Sequence, residues 1–143
     1  MGIRIHRKDG IVLKASTYGI IALGVLHMLV LGVDALGHIP GWAAGKLWTW
    51  EHWEPVSGQR QDLVISGFAF WSTIGSFAIP LILLGLLVLW MIRRGVAVPR
   101  FVGFGLLGWG CIGTLIMLPS GFPIFSLVAV GFSLGLIRSA SAA

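Results

Sequence analysis

The sequence predicts an all-α fold: a polytopic membrane protein built as a four-transmembrane-helix bundle, with a Trp-rich extracytoplasmic loop between helices 1 and 2. Three observations lead there. Of 143 residues, 57% are hydrophobic and 10% charged, and the mean hydropathy of +0.94 lies outside the balance of a soluble domain. The apolar residues gather into four runs approaching the ~20 residues that a helix needs to cross a ~30 Å hydrocarbon core. The basic residues flank those runs instead of forming one patch, so the net charge of +5 speaks of membrane topology and not of nucleic acid. No linker or low-complexity stretch divides residues 1–143, which read as a single membrane domain.

The first run spans about residues 11–34. Basic residues precede it and Ala43-Ala44 follows it, as in a signal peptide, but it exceeds the roughly 7–15 apolar residues of that element, so it reads as a retained span. The second run, about residues 63–92, is long enough to tilt, project or bend. Pro80 lacks the amide that would bond to Ser76, so a bend is expected there. Ser72 and Ser76, one turn apart, are expected to relieve freed backbone groups or to pack closely.

The third run, about residues 101–118, carries Gly103, Gly105, Gly108, Gly110 and Gly113. The fourth, about residues 122–137, holds Gly131 and Gly135 in G-x-x-x-G spacing. Small residues let helices approach closely in lipid, and these are expected to serve contacts within the bundle, a homodimer seam being the alternative. PSGFP at residues 119–123 reads as a tight turn. The lone Cys111 has no partner for an intrachain disulfide and reads as packing.

Eight Lys and Arg lie beside the N-terminus, the turn at residues 93–100 and the C-terminus, against Lys46 and Arg60 on the other side. Both termini are therefore expected in the cytoplasm, with residues 37–62 outside.

Candidate chemistry concentrates near that outer face. His27, Asp34 and His38 fall at i, i+7 and i+11, within about 40° on one helical stripe. His27 is the residue most costly to leave unpaired inside a span, and a hydroxyl of the second helix is its simplest partner. With Glu51 and Glu54 from the loop, these residues form the acid–base set of an enzyme, should they converge. Asp34, His38 and His52 are the residues a metal would take, yet no ligand-spacing motif accompanies them and no metal or other cofactor is expected. A haem would need histidines on two spans, and a small proton-coupled pump a mid-membrane carboxylate; neither pattern is present.

The loop segment WTWEHWEP, residues 48–55, reads as an interfacial lip. Trp42, Trp48, Trp50 and Trp53 match the tryptophan belt at headgroup level, and Pro40 and Pro55 bracket the segment. Glu51 and Glu54 are expected to face water.

From Phe68 onward, FAFWSTIG, the basic turn RRGVAVPRFVGFGLLGWG and the turn MLPSGFP resemble a family of small, uncharacterised four-helix bacterial integral membrane proteins. The histidine of GVLH in the first run is consistent with that resemblance. It implies a fold and a topology and carries no activity; the expected location is the bacterial cytoplasmic (inner) membrane.

Two functions remain. The first is a small non-enzymatic accessory subunit, or a component that binds membrane lipids, a protein partner within the membrane, or a second copy of itself. The second is a membrane-embedded enzyme acting on a lipid-like or isoprenoid substrate through His27, Asp34, His38, Glu51 and Glu54.

Overall fold

A computed structural model describes residues 7–141, and every regular element among them is helical. The elements are α1 (Arg7–Ala35), α2 (Ile39–Ala43), α3 (Gln61–Ser72), α4 (Ala78–Arg93), α5 (Arg100–Ile116) and α6 (Phe122–Ser141), with 3₁₀ turns between α1 and α3. Two continuous helical stretches, Gly10–Ala43 and Phe122–Ser139, are long and apolar enough to cross a membrane; Ala78–Arg93 and Arg100–Ile116 are shorter apolar helices.

The second run is not one bent helix. It is interrupted at residues 73–77, upstream of the proline that was expected to bend it. A continuous helix would drive the Pro80 ring against the Ser76 carbonyl. Starting α4 at Ala78 puts Pro80 in the first turn, where the missing amide has no partner to lose. Ser76 Oγ accepts from the Ala78 amide (3.2 Å) at this new start. Upstream, Thr73 Oγ1 donates to the Ala69 carbonyl (2.6 Å) and the Gly75 amide to the Phe70 carbonyl (2.9 Å), closing the end of α3.

The chain divides into two compact units, residues 1–23 with 81–143, and residues 24–80. In the first, Leu13 and Ile20 of α1, Leu81 and Val88 of α4, and Phe125 and Phe132 of α6 share a core, against which Val102 and Leu106 of α5 pack. The helices meet at glycines. A Cβ on Gly103 would stand 2.9 Å from Ser133 Oγ, one on Gly110 would stand 2.8 Å from Ser126 Oγ, and one on Gly113 would overlap the Phe122 ring. These three positions, at i, i+7 and i+10, form one side of α5. Thr114 Oγ1 and Ser126 Oγ bond across the same seam (3.1 Å). On α6, Gly131 lies against Ser16, and a Cβ on Gly135 would come within 2.9 Å of the Leu13 backbone. Cys111, read from sequence as packing, is instead exposed.

In the unit of residues 24–80, the C-terminal part of α1 passes through the turn Leu36–His38 into α2, where Pro40 occupies the first turn. Gly45 then reverses the chain with φ +81°, a conformation that costs a glycine little. Thr49 caps the turn Trp50–Trp53 by accepting from the Glu51 amide (3.3 Å). The loop therefore folds as a succession of short turns and not as one amphipathic helix.

Candidate functional site

The loop and α3 form the wall of a cavity of about 990 Å³, wholly within residues 24–80. On the loop side stand Trp48, Trp50 and Trp53; on the α3 side stand Gly67, Trp71 and Ile74. Val64, Gly67, Phe68, Trp71 and Ile74 recur every three or four residues, so the lining follows one stripe of the helix and its end. Among the described residues, no Asp, Glu, Lys or Arg lines it.

Directed bonds hold the loop against α3. Trp42 Nε1 donates to the buried Ser66 Oγ (3.0 Å). Its ring stacks over His38 at 6.1 Å and meets Phe70 edge-on at 5.8 Å. Trp48, Trp50 and Trp53 are different, at 89%, 86% and 81% exposure. Tryptophan in general is enriched where apolar and polar media meet.

Charge pairs lock the base of the loop. Glu51 takes the Arg60 amide on one carboxylate oxygen (2.6 Å) and the Arg60 Nε on the other (3.1 Å). The Arg60 backbone and side chain together hold the Glu51 carboxyl below the usual carboxylate range, and Glu51 in turn raises the Arg60 guanidinium. Lys46 Nζ lies 3.2 Å from Asp62, whose carboxyl it also holds low. Gln59 straps the loop, its Nε2 donating to the carbonyls of Glu54 (2.7 Å) and His52 (3.3 Å).

His27 Nε2 lies 3.0 Å from the backbone carbonyl of Ser72, the last residue of α3. A carbonyl only accepts, so Nε2 carries the proton and donates. The bond satisfies a carbonyl freed by the interruption at residues 73–77. A serine of the second run does meet His27, but through its backbone; the Ser72 hydroxyl donates to the Phe68 carbonyl (2.7 Å).

The acid–base candidates do not share one pocket. His27 is on the Ser72 carbonyl, His38 is stacked on Trp42, Glu51 is on Arg60, and Asp34 and Glu54 are exposed. None of the five lines the cavity, whereas His52 does. Among the described residues, no three His, Cys, Asp or Glu side chains are grouped to hold a metal ion.

The sequence reading did not single out Arg60 as the partner of Glu51, Gln59 as a strap, or the α3 stripe as a cavity wall. The recurrence of Gly67, Phe68, Trp71 and Ile74 at helical spacing was the available signal for the last.

A family model described as a family of unknown function (DUF6463) matches residues 13–138. No curated protein and no solved structure matches the chain.

Proposed function

The chain belongs to that family of unknown function, and we propose that it is a small, non-enzymatic integral membrane protein of the bacterial inner membrane. In this reading it crosses the bilayer four times, through α1, α3 with α4, α5 and α6. Its surface binds lipid and a partner within the membrane, as an accessory component.

The observation that carries the proposal is the exposure of large apolar side chains on every long helix. Leu29 of α1, Phe68 of α3, Leu83 of α4, Leu115 of α5 and Leu127 of α6 stand between 61% and 86% open. A soluble monomer rarely shows so much apolar surface, whereas hydrocarbon or a partner helix covers it without penalty. The interruption between α3 and α4 agrees with this. Irregular backbone is tolerated at membrane depth only where its polar groups are paired, and His27, Thr73 and Ser76 pair them here.

The acid–base alternative draws less support, because its five residues are distributed over separate contacts. General acid–base work needs its groups within reach of one reacting centre. The test is membrane fractionation followed by purification in a mild detergent and identification of what co-purifies. Retention through alkaline carbonate, with lipid or a membrane protein in stoichiometric recovery, is the expected result. Release into the soluble fraction would sink the proposal.

A further inference from the structure

We propose that the aromatic cavity between the loop and α3 holds one hydrocarbon chain of a membrane lipid drawn from the outer leaflet. The inference deepens the membrane reading above and rests on it.

Size comes first. Ligand cavities generally have volumes of roughly 300–1,000 Å³ and are largely apolar, with a few polar groups; this one is open to the surface and has a volume of about 990 Å³. Shape comes next. The α3 stripe from Val64 to Trp71 gives a helical wall about 10 Å long at 1.5 Å per residue, continued by Ile74 beyond the helix end, suited to an extended chain more than to a compact ring. Charge then narrows the class. Among the described residues the lining holds no Asp, Glu, Lys or Arg, so no fixed charge in it selects a phosphate or a carboxylate.

Three polar side chains of the lining are committed elsewhere, Trp42 Nε1 to the Ser66 hydroxyl among them. Thr49 Oγ1 accepts from the Glu51 amide and Gln59 Nε2 serves the His52 and Glu54 carbonyls. The His52 imidazole stands over Gly67, where a Cβ would lie 3.7 Å from its Cε1. It can donate to an ester oxygen at the head of the chain, as can the indole N–H groups of Trp48, Trp50 and Trp53. Outside the lining, the salt bridges use Lys46, Arg60, Glu51 and Asp62, and Glu54 is left as an exposed carboxylate. A neutral or zwitterionic headgroup suits that rim better than an anionic one.

The source is the bilayer and not solution. Trp48, Trp50 and Trp53 line the cavity while standing more than four-fifths exposed, as interfacial indoles do. Phe68, Trp71 and Ile74 line it from the other side while being 74%, 68% and 52% open. The lining therefore continues into the lipid-facing surface of α3.

Gly67 provides the test. A Cβ there makes only an ordinary contact with His52, so Gly67→Ala is accommodated, while the longer side chain of Gly67→Leu reaches into the cavity. The full chain in maltoside micelles is titrated with phosphatidylcholine carrying brominated chains, which quench indole fluorescence on contact. Wild type and Gly67→Ala are expected to show saturable quenching at one lipid per chain, and Gly67→Leu at least tenfold weaker binding. Should Gly67→Leu fail to fold, Trp50→Ala removes one wall and is expected to weaken binding several-fold. Equal binding in the variants, or quenching that rises with lipid without saturating, overturns the proposal. So does a dimer in wild type that becomes a monomer in Gly67→Leu while lipid quenching is unchanged, since the cavity would then seat a second copy. A chain that survives carbonate extraction yet binds no lipid refutes this inference alone; one that is released refutes the membrane reading as well.

Discussion

In the unit of residues 1–23 with 81–143, helices meet through glycines and serines, and Gly135 faces the Leu13 backbone at a distance that admits no Cβ. In the unit of residues 24–80, by contrast, indole, imidazole, carboxylate and guanidinium groups hold short turns together, leaving a cavity between them. The difference follows from what each segment can bury. Where helices are apolar throughout and meet at small residues, close approach and dispersion hold them together. A segment with interrupted helices and many turns must pair its freed backbone groups, and directed bonds do that. The first kind of region gives a frame, and the second offers ligand space.

The sharpest way to break this contrast is to overfill the close-packed unit. Gly135→Leu places a side chain against the Leu13 backbone, which cannot move aside as a side-chain tip could. A loss of about 3 kcal/mol is expected, at the upper end for overpacked sites, measured by thermal unfolding in detergent. A stability within 0.5 kcal/mol of wild type would show that the two helices are not in contact as described.

A smaller effect is expected at His27. His27→Leu makes the span more apolar, so insertion is preserved, while the Ser72 carbonyl loses its donor. The expected cost is about 1 kcal/mol, in the range of one hydrogen bond, with faster amide exchange at residues 72–76. Unchanged exchange there would reduce the histidine to surface decoration.

Next comes acidity. Glu51 has its pKa lowered in the folded chain, so the stability it adds is present above the ordinary carboxylate range and is lost as pH falls through the lowered value. Asp62 carries the same sign. Tryptophan fluorescence of the loop is expected to shift on acidification below about pH 4 and to do so reversibly. Glu51→Gln should diminish that shift, and a shift identical in the variant would assign it to other groups. The smallest effect belongs to Glu54→Gln, exposed and outside the salt bridges, where a change under about 0.5 kcal/mol is expected.

The apolar runs read from sequence anticipate α1, α5 and α6 to within a few residues, because length and hydropathy decide where an apolar helix starts and stops. The interruption at residues 73–77 was legible only in part. Pro80 announced trouble, but the choice between a kink at the proline and a new helix start above it depends on Ser76, Thr73 and Gly75 acting together. The stripe of His27, Asp34 and His38 was periodic enough to suggest one site. Periodicity gives direction around a helix and says nothing of partners, and His27 and His38 found separate ones in Ser72 and Trp42. Glu51 was read as facing water because its partner is nine residues away along the loop, at Arg60, a pairing with no local spacing rule to reveal it.

The central claim, a four-span chain with its tryptophan loop outside and its termini inside, is tested most directly by labelling in intact cells. In a Cys111→Ala background, Ser57→Cys in the loop and Ser139→Cys near the end of α6 are exposed separately to a membrane-impermeant maleimide. Labelling at position 57 in intact cells, with position 139 reacting only after permeabilisation, is the predicted result. Equal labelling of both positions in intact cells, or labelling of 139 alone, would contradict it.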